Sequence, residues 1–233
     1  MSAPVLRVGV AGLGTVGSEV VSILVSHAEQ IKARTGTSID VSAVSARDKH
    51  KTRSVDISSL RWHDNPVSLA GDAEVDVVVE LMGGAEGSAR ALVEAALAAG
   101  KPVVTANKAL IATHGVALAN QAEYTGAMLA FEAAVAGGIP IIKLLRDGLA
   151  ANQISKIMGI LNGTCNYILT HMWEGKRSFD DVLKEAQALG YAEAEPSFDV
   201  DGIDASHKLA LLSALAFGVA PDTTTMHVEG IRH

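Results

Sequence analysis

A glycine-rich motif close to the N-terminus is the first group of residues that could do chemistry. The sequence GLGTVG at positions 12–17 fits the pattern G-x-G-x-x-G, follows a short apolar run and opens a segment with helical spacing. In that setting the glycines allow a tight turn, a close approach of a pyrophosphate and close packing of helix on strand. A glycine-rich turn in another α/β protein is the alternative. The residues predicted to bind a dinucleotide here are Gly12, Gly14, Thr15, Val16 and Gly17.

Two cations bear on which dinucleotide would bind. An NAD site usually places an acidic residue at the end of the second strand, about 20 residues after the glycines. After the predicted strand at 39–44 the chain instead has Arg47, with Lys49 two positions later. These side chains would suit the 2′-phosphate of NADP, so NADP is favoured and NAD remains possible. The alternative is that both are ordinary surface cations.

An acidic loop carries the densest set of reactive groups. Between positions 193 and 204, five carboxylates fall within twelve residues: Glu193, Glu195, Asp199, Asp201 and Asp204. Such clustering is repulsive unless a metal, a lysine or a ligand ammonium lies among them. The spacing matches neither an EF-hand nor a zinc site, which makes a metal the weaker choice. A solvated acidic loop is the alternative.

Two lysines are candidates for proton transfer or polarisation. Asp204 and Lys208 are four residues apart and share one face of a predicted helix that is otherwise apolar. Burial and neighbouring carboxylates together set the pKa of such a lysine, so it can move protons, whereas a surface ion pair is the alternative. Lys108 follows a predicted strand, where open α/β sheets bind ligands, and a plain surface lysine is its alternative.

Alternating strands and helices must position the groups in the N-terminal part. Predicted strands are Val5–Ala11, 39–44, 75–81, 103–105 and 127–132, and predicted helices are 16–31, 90–99 and 109–124. Apolar strands separated by helices of this length indicate a parallel sheet with right-handed crossovers. The predicted fold class is therefore α/β, with a Rossmann-type doubly wound parallel sheet over residues 1–138.

The pattern changes in the second part of the chain. Residues 133–139 are too small and glycine-rich for an ordinary helix or strand, and we place a domain boundary at Gly138. Residues 139–233 then predict an α+β substrate-binding and dimerisation domain. Its predicted elements are a strand at 154–161 and helices at 162–173, 180–189 and 204–217, the second of these with Ser178 and Asp181 spaced as a capping box.

Composition limits the partners. The 233 residues include 19 Lys and Arg against 26 Asp and Glu, a net charge of −7, with 48% hydrophobic residues. So much apolar surface predicts a packed core, and the acidic balance argues against nucleic acid or an anionic membrane as a partner. The single cysteine, Cys165, excludes an intramolecular disulfide and fits a reducing, cytoplasmic location.

Five segments in order along the chain resemble the homoserine dehydrogenase family. They are GLGTVG at 12–17, VVTANKAL at 103–110, FEAAVAGGIPII at 131–142, GILNGTCNYIL at 159–169 and GYAEAEPSFDVDGIDASHK at 190–208. The resemblance implies reversible reduction of L-aspartate 4-semialdehyde to L-homoserine with NAD(P)H, on the route to threonine, methionine and isoleucine. It also implies a homodimer formed through the second domain.

The resemblance also implies roles for particular residues. Lys208 would donate the proton, and Lys108 would lie between nicotinamide and substrate. The implied substrate residues are Glu193, Asp199 and Asp204; further cofactor contacts are Gly83, Thr105, Lys108 and Gly190. A monovalent cation, usually sodium, would be held by the Glu132 carboxylate and the carbonyls of Val135, Gly137 and Ile139.

The chain departs from the family pattern at its C-terminal end. Family members continue past the segment corresponding to Gly230, so we expect a shortened form whose activity is less certain than its ancestry. Two other functions stay open from the residues: a catalytically silent nucleotide-binding or interaction module, and a related NAD(P)-dependent amino-acid dehydrogenase.

Overall fold

Six parallel strands form one sheet in the N-terminal part of the chain. The structure, a computed structural model, describes residues 4–232. The strands are β1 (Val5–Ala11), β2 (Ser38–Ser45), β3 (Arg61–Trp62), β4 (Val77–Glu80), β5 (Val103–Thr105) and β6 (Leu129–Ala130). Their spatial order is β3-β2-β1-β4-β5-β6, and every neighbouring pair is parallel. This is the order of a doubly wound dinucleotide-binding sheet, so the predicted fold class is confirmed for this part.

Helices connect the strands and make up most of the rest. The helices that accompany the sheet are α1 (Thr15–Ser26), α2 (Ala28–Thr35), α3 (Ser68–Gly71), α4 (Ser88–Ala98), α5 (Lys108–Thr125) and α6 (Glu132–Val135). They are followed by α7 (Ile141–Lys143) with a π-helical turn over Leu144–Gly148, α8 (Gly163–Gly175), α9 (Phe179–Ala188), α10 (Ser197–Val200) and α11 (Ile203–Phe217). The chain divides after Ile141 into two compact units. The sequence placed its boundary at Gly138, and the names given there to the two domains stay predictions.

The strand β1 lies at the centre of the first unit. Its residues Val8 and Val10 are buried and pack with Val21 of α1, Val44 of β2 and Val79 of β4. Because β1 has neighbours on both edges and apolar contacts on both faces, its sequence reads as an almost continuous apolar run. The core therefore fixes the carboxyl end of β1, where the glycine motif begins.

Three predicted elements of the first unit differ from the structure. The helix expected over 16–31 is interrupted at His27, whose backbone angles of −104° and 15° leave the helical region. The strand β3 was not predicted, because two residues are too few to show an alternating pattern. Residues 133–139 were expected to lack regular structure, yet α6 forms one turn there, since alanine favours a helix.

The second unit contains helices and, over residues 154–161, a segment without regular secondary structure. Buried side chains of α8, α9, α10 and the loop between α9 and α10 form its core: Ile168, Val182, Ala186, Val200 and, from the loop, Ala192. Ser178 caps α9 by accepting a hydrogen bond from the Asp181 N–H, as predicted, but the Asp181 carboxylate accepts from the Ser178 hydroxyl (2.7 Å) and not, as in a capping box, from the Ser178 N–H. Residues 154–161 are not a paired strand, because no strand among residues 4–232 bonds to them, and Met158 and Ile160 are 76% and 78% exposed.

A buried carboxylate holds β3 and the turn before β4. Asp72 accepts hydrogen bonds from Arg61 (2.6 Å), His63 (2.8 Å) and the main-chain N–H of Glu74 (2.9 Å), and its side chain is 5% exposed. Burial raises the pKa of Asp72, but these three donors outweigh it and lower the pKa to about 2. The folded state therefore favours the ionised carboxylate.

This carboxylate makes stability depend on pH in the acid range. Because its pKa is lower in the folded state, ionised Asp72 stabilises the fold at pH values above about 4, the pKa of the carboxyl in the unfolded chain. This contribution to the free energy of unfolding is lost as the pH falls towards 2. We expect Asp72→Asn to lower the free energy of unfolding by about 2 kcal/mol at pH 7. The fall of that free energy between pH 4 and 2 should also be less steep than in the unmodified chain. Urea unfolding across that range measures both effects, with the exposed Asp40→Asn as the control. Parallel acid curves for Asp72→Asn and the unmodified chain would contradict this.

The third glycine of the motif is fixed by packing. A Cβ atom at Gly17 would lie 1.8 Å from the Gly12 carbonyl oxygen, whereas a Cβ at Gly14 would have no atom within 4 Å. We expect Gly17→Ala to lower the free energy of unfolding by about 3 kcal/mol, and Gly14→Ala by less than about 1 kcal/mol. Thermal unfolding of the two variants side by side measures the difference. Equal stabilities would show that β1 and α1 do not pack this closely.

Candidate functional site

A cavity of about 630 Å³ opens at the carboxyl ends of β1, β2 and β4. These strands meet where the sheet's connections change direction, which is the usual ligand position in doubly wound sheets. The lining includes the glycine turn, the end of β2 and the turn after β4, contributed by Gly12, Gly14, Ser45, Arg47, Gly83 and Ser88. The first unit therefore brings four of the predicted cofactor residues, Gly12, Gly14, Arg47 and Gly83, to one cavity.

The glycine turn provides a place for a pyrophosphate. Gly14 is the N-cap of α1 and has no side chain to bond the first N–H groups, and the first turn contains no acidic residue. A Cβ at Gly14 would point into open space, so the backbone is accessible there. Thr15 and Val16 begin α1, with Val16 59% exposed, and Gly17 is buried beneath them. These residues fit a dinucleotide at the helix N-terminus.

The cations beside the cavity are not quite those expected. Arg47 lines it together with Lys51 and Arg53, which the sequence analysis missed. Lys49 lies over the Trp62 ring, with its ammonium 6.0 Å from the ring centre. The Arg53 guanidinium donates to the carbonyl of Lys51 at 2.8 Å, a contact within the same loop. The missed signal was the density of cations in ARDKHKTR, residues 46–53.

Carboxylates also line this cavity, namely Asp48, Asp64 and Glu86. The arginines and lysine therefore do not make it uniformly positive. A phosphate would have to be recognised by directed contacts, for which guanidinium groups are suited.

A second buried carboxylate supports the turn after β4. Glu80 is fully buried and accepts hydrogen bonds from the N–H groups of Met82 (2.7 Å) and Gly83 (3.2 Å) and from the Thr105 hydroxyl (2.6 Å). The Thr105 side chain is thus engaged beneath the turn and is itself 1% exposed. Gly83, with a φ of 79°, adopts a backbone conformation that favours glycine.

Lys108 is the first residue of α5 and is partly buried. The preceding Asn107 caps this helix by accepting from the Leu110 N–H (3.1 Å), and its amide donates to the Gly84 carbonyl (2.7 Å). The backbone next to Lys108 is therefore hydrogen-bonded, through the Asn107 side chain, to the turn after β4. This places Lys108 at the carboxyl edge of the sheet, as the sequence predicted for the end of β5.

The second unit contains an ion pair between a buried carboxylate and a partly buried lysine. The Lys208 ammonium lies 2.8 Å from the Asp204 carboxylate, and Asp204 is 1% exposed. Lys208 also donates to the Leu161 carbonyl at 2.8 Å. The pair is therefore an internal one rather than a surface pair, and its lysine is held by two acceptors.

Asn162 joins this pair to a second carboxylate. Its amide donates to Asp199 (2.7 Å) and to Asp204 (2.9 Å), and its oxygen caps α8 by accepting from the Cys165 N–H at 2.8 Å. Asn162 was not among the predicted site residues, although an asparagine before a helix that starts with glycine is a typical N-cap signal.

Glu193, the third predicted substrate residue, has no described contact with Asn162, Asp199, Asp204 or Lys208. Glu193 is exposed, and its main-chain carbonyl accepts from the Gln187 amide at 3.0 Å. Gly190 follows α9 with a φ of 78°, and the next carbonyl, of Tyr191, accepts from the Thr164 hydroxyl at 2.7 Å. The loop is thus anchored to α8, with the Glu193 carboxylate facing solvent.

Cys165 reports on the two aspartates. Its thiol donates to the Asp199 carbonyl at 3.2 Å. Burial, and then the charges of Asp199 and Asp204, raise the pKa of the Cys165 thiol. This cysteine therefore stays protonated near neutral pH and is a poor nucleophile.

The stretch predicted to hold a monovalent cation includes α6 and the residues after it. Glu132 begins α6, Val135 ends it, and Gly137 and Ile139 are exposed. Among residues 4–232 no group of three or more His, Cys, Asp or Glu could hold a metal ion. A cation here would depend chiefly on main-chain oxygens.

Among residues 4–232, no helix is long and apolar enough to cross a membrane.

Comparison with known proteins matches both units to one family. Residues 12–132 match the family model described as the NAD binding domain of homoserine dehydrogenase, and residues 140–233 match the homoserine dehydrogenase model. The homoserine dehydrogenases of Pseudomonas aeruginosa and Neisseria gonorrhoeae are each 49% identical over 226 residues, 97% of this chain. The chain covers 51% and 52% of those proteins, so it spans about half the length of the curated relatives it matches.

Solved structures agree. A homoserine dehydrogenase from Thiobacillus denitrificans superposes with a TM-score of 0.91 at 50% identity, over 98% of this chain and 52% of that one. A hyperthermophilic archaeal homoserine dehydrogenase in complex with NADPH gives a TM-score of 0.81 at 29% identity, over 93% of this chain and 71% of that one. The resemblance seen in the sequence is confirmed, and this chain belongs to the homoserine dehydrogenase family.

Proposed function

We propose that this chain carries the catalytic residues for the reversible reduction of L-aspartate 4-semialdehyde to L-homoserine with NADPH. The observation that carries the proposal is the Lys208 ammonium held by buried Asp204 and by the Leu161 carbonyl. These two contacts use two of the three ammonium hydrogens, so the third can serve a substrate oxygen. Family membership supports the choice of substrate.

Lys208 is the proposed general acid. The bound nicotinamide supplies the hydride, and negative charge then develops on the aldehyde oxygen. An ammonium beside that oxygen both stabilises the charge and donates the proton that completes the alcohol. In the reverse direction the neutral Lys208 amine accepts the proton from homoserine.

The carboxylates are proposed to hold the amino group of the substrate. Asp199 and Asp204 are already brought together by Asn162, and Glu193 would approach from the exposed loop. A substrate ammonium would offset the repulsion between these carboxylates. Lys108 would assist by lying between nicotinamide and substrate, which its place at the start of α5 supports.

For the cofactor we propose contacts from the glycine turn and the turn after β4. The N–H groups at the start of α1 would bind the pyrophosphate, as the uncapped helix end supports. Arg47 and Lys51 would bind the 2′-phosphate of NADP, with Lys49 within the same loop. The proposed cofactor residues are Gly12, Gly14, Thr15, Val16, Gly17, Arg47, Lys49, Gly83, Thr105, Lys108 and Gly190.

Three further features belong to the proposal. A sodium ion would be bound by Glu132 and the carbonyls of Val135, Gly137 and Ile139. A homodimer would form through the second domain, which the exposed apolar side chains of Met158 and Ile160 support. The single cysteine suits a reducing compartment such as the cytoplasm.

The test of the general acid is a spectrophotometric assay at 340 nm. We expect Lys208→Ala to lower kcat by about 10²–10⁴-fold, because the proton donor is lost. Lys208→Arg keeps the charge beside buried Asp204, so it should fold while losing most of the activity. The matched control is Lys184→Ala, an exposed lysine of α9. Near-normal turnover in folded Lys208→Ala would refute the role of Lys208.

NADPH binding by the unmodified chain without reduction of the semialdehyde would instead favour a silent nucleotide-binding module.

Cofactor preference gives a separate test. We expect Arg47→Ala to raise KM for NADPH about 10-fold or more and to leave KM for NADH nearly unchanged, since only NADPH carries the extra phosphate. Lys51→Ala should act in the same direction. Lys49→Ala should act more weakly, because its ammonium lies over Trp62. An equal change in KM for NADPH and NADH in Arg47→Ala would show that Arg47 does not bind the 2′-phosphate.

A further inference from the structure

Asn162 lies where three charged groups meet. It is 8% exposed, and it precedes α8. Its two amide hydrogens go to Asp199 and Asp204, while its oxygen accepts the Cys165 N–H. Because the oxygen is bound to a donor, the amide can only point its nitrogen at the carboxylates. The side chain thus uses both donors and its acceptor in one orientation.

The contacts of Asn162 go beyond what a helix cap needs. A serine or aspartate would cap α8 equally well through one acceptor oxygen. Neither could also donate to two carboxylates at once. The amide therefore bridges the two like-charged groups, while Leu161, the preceding residue, supplies the carbonyl that holds Lys208.

We propose that Asn162 is a positioning residue that holds Asp199 and Asp204 together, so that Asp204 keeps the Lys208 ammonium in place and Asp199 is presented to the substrate. Asn162 itself need not touch the substrate. The geometric part of this inference stands on the contacts above, and its consequence for the reaction rests on the proposed function.

The single cysteine allows a test that needs no activity. The thiol of Cys165 donates to the Asp199 carbonyl, and, in addition to burial, the charges of Asp199 in α10 and of Asp204 in α11 both raise its pKa. If the two carboxylates separate, the electrostatic penalty on the thiolate decreases. The pKa of Cys165, measured from the rate of iodoacetamide alkylation against pH, therefore reports whether the carboxylates are held.

The variant to compare is Asn162→Ser, which keeps the cap of α8. We expect it to fold with a lowered melting temperature, because buried Asp204 loses one of its donors, and to lower the pKa of Cys165 by about half a unit or more. The control is Ser178→Ala, which removes the cap of α9 in the same unit without touching the cluster. It should lower the melting temperature and leave the thiol unchanged. An unchanged thiol pKa in folded Asn162→Ser would overturn the proposal.

Kinetics then separate the two proposals. With homoserine and NADP, Asn162→Ser should raise KM for homoserine and lower kcat, each by about 10-fold, because Asp199 and Lys208 are both displaced. A thiol shift without any turnover in the unmodified chain would contradict the proposed function and leave the positioning role supported. Turnover within twofold of normal despite a thiol shift would show that positioning does not matter for the reaction.

Discussion

The buried carboxylate of Asp204 is the constraint on which the candidate catalytic cluster depends. Removing a charge from water is costly unless ions and hydrogen bonds replace the solvent. Here Lys208 supplies the opposite charge and Asn162 a donor, so moving either side chain removes part of the compensation of Asp204. The same requirement that keeps the fold stable therefore keeps an ammonium group in a fixed place.

The first unit uses a buried carboxylate in a related way. Within residues 4–232, Glu80 and Asp204 are at most 1% exposed, and the Asp72 side chain is 5% exposed. Glu80 bonds neutral donors only in the contacts described above, and it fixes the turn containing Gly83 rather than a charge. Glu80 thus fixes the backbone around the candidate cofactor cavity, and Asp204 orients a lysine in the second unit. Binding groups held in this manner need little reorganisation when a ligand arrives.

The sequence was most informative where a local pattern has one physical cause. The glycine spacing at 12–17 and the apolar strands predicted the sheet, because both follow from close packing. The Asp204 and Lys208 spacing predicted a shared face but could not say whether it was buried. Asn162 was missed because its two carboxylate partners lie 37 and 42 residues away in sequence. Residues 154–161 look like a strand locally, yet a strand also requires a partner, which local sequence does not report.

The most direct test of the account is the coupling energy between Asp204 and Lys208. A double-mutant cycle with Asp204→Asn and Lys208→Met, followed by urea unfolding, isolates their interaction from the separate effects of each change. A buried and hydrogen-bonded pair predicts a coupling free energy above about 1.5 kcal/mol, whereas an exposed helical pair contributes about 0.3–0.5 kcal/mol. A coupling within the smaller range would contradict the claim that Asp204 fixes the lysine.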